Sequence, residues 1–139
     1  MKILVVHRQK TIVSQIKSVL SNCNPVVLHT ESGLDGLLTS RIEHFDLIIC
    51  GTDLPVVTGF ELIRSIRTNS INRHTPVIFL SDDLNEKTQH LSNALNVNSL
   101  LCTSDIVFQL ANVVGEQMKM ESRPKPWQDL EAVSRHARR

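Results

Sequence analysis

Five short apolar runs constrain this chain more than any other feature. They are Ile3 to Val6, Val26 to His29, Leu47 to Cys50, Val77 to Leu80 and Ser99 to Cys102, and each is too short for a buried helix. The first of them, Ile3 to Val6, is almost wholly apolar and β-branched, and it lacks the polar alternation of a strand that faces water on one side. Such runs fit strands covered on both faces. Between them, apolar residues recur at helical spacing. Ile12, Ile16, Val19 and Leu20 form one set, and Leu34, Leu37, Leu38 and Ile42 a second. Phe60, Ile63 and Ile66, then Leu91, Ala94 and Leu95, and finally Ile106, Leu110, Val113 and Val114 complete the series. Asn22, Asn24 and Pro25 close the first helix, Glu31-Ser32-Gly33 opens the second, and Thr75-Pro76 marks the entry to the fourth strand.

Strands that alternate with single helices imply right-handed βαβ crossovers and a parallel sheet. Five such units predict an α/β fold, a doubly wound five-stranded parallel sheet of order 2-1-3-4-5 with helices on both faces. Sites in this architecture form at the C-terminal ends of the strands. The informative positions are therefore His7-Arg8, Gly51 to Pro55, Ser81 to Asp83 and Cys102 to Asp105.

At 139 residues the chain suits one domain with one core, expected over 1–120, followed by a C-terminal tail over 121–139. Fifteen Lys plus Arg against fourteen Asp plus Glu leave a net charge of +1, which excludes a chain-wide basic footprint for nucleic acid. The tail carries five Lys or Arg and three Asp or Glu, so it holds +2 and the body −1. Pro124 and Pro126 interrupt the chain before Trp127, and Leu130, Val133 and Ala137 then fall on one side of a possible short amphipathic helix. That segment can cap the domain, dock on a partner or stay unstructured. Arg135, His136, Arg138 and Arg139 are too few for a nucleic-acid footprint on their own.

Cys23, Cys50 and Cys102 are odd in number and widely spaced, and two of them lie in apolar runs. Small buried hydrophobes in a reducing compartment are expected rather than disulfides or metal ligands. No apolar run reaches membrane-spanning length, and the opening segment is too strand-like for a secretory signal, so a cytoplasmic protein with no membrane association is expected. His7, His44, His74 and His90 lie on different elements, which leaves no zinc-binding spacing. Gly33-Leu34-Asp35-Gly36 lacks the spacing and the Lys of a phosphate loop. No metal, no cofactor and no enzymatic activity are expected.

The succession Lys2-Ile3-Leu4-Val5-Val6, Phe45-Asp46-Leu47-Ile48-Ile49, Leu54-Pro55-Val56-Val57-Thr58-Gly59-Phe60-Glu61-Leu62-Ile63-Arg64-Ser65-Ile66-Arg67 and Thr75-Pro76-Val77-Ile78-Phe79-Leu80-Ser81 resembles the receiver domain of two-component response regulators, the CheY-like fold. The resemblance covers about residues 1–119. It implies phosphoryl transfer to an aspartate at the end of the third strand. Two acidic residues after the first strand would hold Mg²⁺ with that aspartate, and a Ser or Thr and a Lys would bind the phosphoryl oxygens. Here the acidic pair falls on His7 and Arg8, and the acceptor, four residues before Pro55, falls on Gly51. Ser81 matches the hydroxyl. The Lys position falls near Cys102 or Thr103, and no Lys occurs between Thr88 and Met118. The resemblance thus implies a degenerate pseudo-receiver. Asp53 reaches the acceptor position only by a two-residue slip that would misplace Leu54-Pro55.

Arg8 is expected either to fold over the vacated site toward Asp53 or Asp82, or to point into solvent. The family further implies communication through the fourth helix, fifth strand and fifth helix, a face also used for homodimers. On it stand Leu100 or Leu101 at the aromatic switch position, and Gln109, Asn112 and Glu116 on the last helix. Trp127, Leu130 and Val133 are the tail's candidate contacts. The expected function is a phosphorylation-independent signalling or regulatory module that binds a protein partner. Two alternatives are a DNA- or RNA-linked regulator using the basic tail, and an atypical genuine phosphoreceiver.

Overall fold

A computed structural model of the chain describes residues 1–122. Five strands, β1 (Lys2–Val6), β2 (Val26–Thr30), β3 (Leu47–Gly51), β4 (Val77–Ser81) and β5 (Ser99–Cys102), form one parallel sheet in the order β2-β1-β3-β4-β5. They alternate with α1 (Lys10–Val19), α2 (Gly33–Ile42), α3 (Gly59–Thr68), α4 (Glu86–Ala94) and α5 (Ala111–Ser122). This is the doubly wound arrangement that the strand–helix alternation predicts. The three inner strands carry the continuous apolar runs because helices cover both of their faces.

Alternate residues build two cores. Ile3, Val5, Ile49 and Leu80 face α1 and the last helix, where Val13, Ile16, Ile106, Leu110 and Val114 complete the packing. Leu4, Val6, Ile48, Cys50 and Phe79 face the opposite side and meet Leu62, Ile63 and Ile66 of α3. Side-chain caps start three of the helices. Ser32, Thr58 and Asn85 each accept a hydrogen bond from the backbone N–H three residues on. No helix among the described residues is long and apolar enough to cross a membrane.

Two helices bury a different face from the one their apolar spacing suggests. In α2, Gly33, Gly36 and Ser40 are buried, while Leu34, Leu38 and Ile42 are exposed and only Leu37 joins the core. The cause is close approach. A Cβ on Gly36 would stand 2.9 Å from Val6 Cγ2, and one on Gly33 would stand 2.6 Å from the Val57 carbonyl oxygen. Small residues let the backbone come down onto the sheet edge, and the large ones turn outward. In α4 the buried residues are Thr88 and Ser92, Leu91 and Leu95 are half-buried, and Ala94 is exposed. The Ser92 hydroxyl donates to the Thr88 carbonyl at 2.8 Å, which satisfies it inside the helix.

The last helix is entered through a 3-10 turn at Thr103–Asp105 and a π-helical turn at Ile106–Leu110. All three cysteines are free. Cys50 is buried, which pushes its thiol pKa well up, Cys102 is half-buried, and Cys23 is exposed rather than in the core.

Polar side chains lock the loops at the N-terminal edge of the sheet. Arg67 donates to the carbonyls of Arg73 and Thr75 before β4 and to those of Leu95 and Asn96 after α4. Asn72, fully buried, accepts from the Phe45 N–H and donates to the carbonyls of Ser40 and Glu43. Four carbonyls on two loops need a planar fork of donors, which an ammonium does not offer. Arg67→Lys is therefore expected to lower stability by about 2 kcal/mol, read as a lower urea midpoint at unchanged m-value. An unchanged midpoint would show that the fork is dispensable.

Candidate functional site

The order of the strands reverses between β1 and β3, and the loops leaving their C-terminal ends enclose a cleft. His7 and Arg8 follow β1, Gly51 ends β3, Ser81 ends β4, and Thr103 follows β5. These residues line the cleft with Gln9, Thr52, Asp53, Leu80 and Asp82, around a cavity of about 30 Å³. That volume accommodates a water molecule and little more.

His7 fills the centre. Its side chain is buried, and its imidazole lies against Gly51, so that a Cβ built on Gly51 would stand 2.9 Å from His7 Cδ2 and 3.3 Å from Nε2. Among the described residues no glycine has positive φ, so position 51 needs glycine for space and not for backbone freedom. One hydrogen bond holds the ring and a second holds the backbone that carries it. The Gln9 N–H donates to His7 Nδ1 at 3.0 Å, and His29 Nε2 lies 3.0 Å from the His7 carbonyl oxygen, to which it donates. An Nδ1 that accepts a backbone proton carries none of its own, so the neutral ring has its proton on Nε2.

Arg8 reaches across to the β3 loop and pairs with Asp53 at 3.4 Å rather than with Asp82. Both side chains are largely exposed, so the pair contributes at most about 1 kcal/mol and orients Arg8 more than it braces the fold. The Ser81 hydroxyl donates to the Asp83 carbonyl at 2.9 Å and accepts from the Asp83 N–H at 3.2 Å, so its own loop occupies it. Cys102 lies outside the cleft lining and its Sγ sits 3.2 Å from Ser104 Oγ, so Thr103 is the residue that β5 delivers to the site.

The β3–α3 loop forms the cleft's outer wall. A Cβ on Gly59 would stand 2.3 Å from the Gly51 carbonyl oxygen, which explains why the first residue of α3 is glycine. At the tip, the Val57 N–H donates to the Pro55 carbonyl at 2.8 Å and closes a tight turn around Val56, which has φ 66° and is 97% exposed. A β-branched residue in that region is strained. Among the described residues no group of three or more His, Cys, Asp or Glu is arranged to hold a metal ion.

The candidate interaction residues divide. Leu101 is buried in the first core, so it is not a surface contact; strand alternation leaves Leu100 as the half-buried member on the α4 side. Gln109, Asn112 and Glu116 are exposed. Beside them the π-helical turn presents Val107 and Phe108, the latter 79% exposed, which helical periodicity alone does not single out. Trp127, Leu130 and Val133 lie outside the described residues. Thr52 falls in the Gly51 to Pro55 stretch that the sequence singles out, whereas Gln9 and His29 carry no such signal. Gln9 acts through its backbone, and His29 enters from a neighbouring strand.

Burial is the main cause that lowers the His7 pKa below 6.5. Arg8 and His29 add to it, and the Asp82 and Asp53 charges oppose it. Protonation therefore favours the unfolded chain first. The stability that neutral His7 contributes is complete above about pH 6.5 and is lost as pH falls from there through the lower folded pKa. Thermal melts between about pH 7.5 and about pH 5, a window that brackets the ordinary histidine range, should show Tm falling less in His7→Gln than in the parent chain. Parallel falls in the two chains would remove His7 from the titration.

The geometry matches known proteins. The family model for the response regulator receiver domain matches residues 3–101. The cell cycle response regulator CtrA of Brucella ovis is 26% identical over 81 residues, covering 58% of this chain and 34% of that protein. The chain thus spans about a third of the length of the curated relatives it matches. Among solved structures, the phosphorylated cyanobacterial phytochrome response regulator RcpA superposes with a TM-score of 0.78 at 21% identity, covering 89% of this chain and 98% of that one. Chemotaxis protein CheY4 of Vibrio cholerae superposes with a TM-score of 0.69 at 23% identity, covering 81% and 97%. The strand order, the cleft at the reversal point and the family match agree, and the chain belongs to the response regulator receiver domain family.

Proposed function

We propose that this receiver domain signals without being phosphorylated, as a protein-interaction module whose site has one constitutive arrangement. Membership of the family supports a signalling or regulatory role. The observation that carries the finer reading is the His7 imidazole packed against Gly51, in the space from which an acceptor side chain would project.

The residues present do not fit the Mg²⁺ that receiver chemistry requires. A hard divalent ion seeks several oxygen ligands in a compact shell. His7 Nδ1 is already engaged by the Gln9 N–H, and Arg8 brings a guanidinium to the rim. Asp53 is spread outward toward Arg8, and Asp82 is exposed. Ser81, the one matching hydroxyl, is bonded within its own loop. A receiver switches because a bound phosphoryl group favours one of two states, and a site without that ligand has no differential binding energy to shift them.

The output surface in this reading is the face of α4, β5 and α5. The exposed Val107 and Phe108 supply an apolar centre, Gln109, Asn112 and Glu116 supply a polar rim, and Leu100 sits at its inner border. An aromatic anchor ringed by polar groups is the usual anatomy of a protein contact, whether with a signalling partner or with a second copy.

The test is incubation of the full chain with radiolabelled acetyl phosphate and Mg²⁺. The expected result is no acid-stable, base-labile acyl phosphate on the chain. Label that appears and is abolished by Asp53→Asn would overturn the proposal in favour of an atypical phosphoreceiver.

A further inference from the structure

At the opposite end of the sheet from the cleft lies a groove of about 580 Å³ lined by both apolar and polar residues. Met1 precedes β1, Pro76 precedes β4, and Ile71 and Met118 form the walls, with Asp46 and His74 on the rim. Ile71 is 52% exposed and Met118 39% exposed, so both present apolar surface to solvent at the groove. The volume is in the range that takes a group much larger than water.

We propose that the groove is the docking site of this chain's own C-terminal segment, with Trp127 as the inserted side chain. Position argues for this occupant. Met118, a groove wall, lies on the last turns of α5, which ends at Ser122, so the segment that follows starts beside the groove. Trp127 is five residues beyond Ser122, and five extended residues reach about 17 Å. Pro124 and Pro126 oppose continuation of the helix and favour an extended path out of it. Charge agrees as well: Arg123 and Lys125 stand between α5 and Trp127 in the sequence, and the groove lining includes the exposed Asp46, whose carboxylate also accepts from the Lys2 N–H. A short tether also gives an effective concentration on the order of millimolar, an advantage over a second copy of the same segment.

The chain reports on itself, since Trp127 is its only tryptophan and it has no tyrosine. Emission of the full chain should be blue-shifted and protected from acrylamide, independently of protein concentration. Ile71→Asp, at a half-exposed position outside helices and strands, should red-shift the emission and raise quenching several-fold with an unchanged far-UV circular dichroism spectrum. His74→Asp, a polar-rim control that spares the apolar walls, should leave the emission blue-shifted. Three results would overturn the proposal: quenching equal to that of free indole in the parent chain, protection that develops only as concentration rises, and protection that Ile71→Asp leaves intact. The second would assign the groove to another copy of the chain.

Discussion

The site depends on one contact, a buried imidazole laid over a residue with no side chain. His7 leaves β1 at the point where the strand order reverses, and in that place a side chain directed over the sheet edge must meet whatever ends β3. Any Cβ at position 51 would collide with the ring. Histidine at 7 and glycine at 51 are thus a matched pair. The Gln9 N–H fixes the ring's rotation, and the same contact fixes its charge, because an accepting Nδ1 belongs to the neutral form.

The rest of the edge follows from that packing. Gly59 brings the start of α3 against the Gly51 carbonyl, and Gly33 brings α2 against the β3–α3 loop, so the loop has little freedom except at its strained tip, Val56. At the other edge Arg67 and Asn72 gather the carbonyls of several loops into hydrogen bonds. Between the two edges the inner strands are apolar and buried from Ile3 to Val6, Leu47 to Cys50 and Val77 to Leu80, a rigid base on which small differences at the strand ends decide what the site can bind.

Much of this was legible in the sequence, because burial on both faces leaves a strong mark. Continuous apolar runs at regular spacing specify a parallel sheet, and strand ends then place His7, Arg8, Gly51 and Ser81 together without knowledge of any contact. Legibility failed where a helix packs through small or polar residues. Leu34, Leu38 and Ile42 have core-like spacing, yet the close approach at Gly33 and Gly36 turns them outward. Leu100 and Leu101 are chemically alike, and only the register of β5 against β4 decides which is core. Whether Cys102 or Thr103 reaches the cleft rests on where β5 ends. The direction of the His7 ring is a tertiary fact, set by a backbone N–H that composition cannot reveal.

A double-mutant cycle on positions 7 and 51 tests the central claim most directly. Gly51→Ala should cost about 1–3 kcal/mol in a chain that keeps His7, as an overpacked core position does. In a chain carrying His7→Ala, which opens the space beside it, the same change should cost far less, giving a coupling energy of about 1 kcal/mol or more. Additive effects, within the roughly 0.5 kcal/mol expected of independent sites, would contradict the account, since the imidazole would then not occupy the space above Gly51.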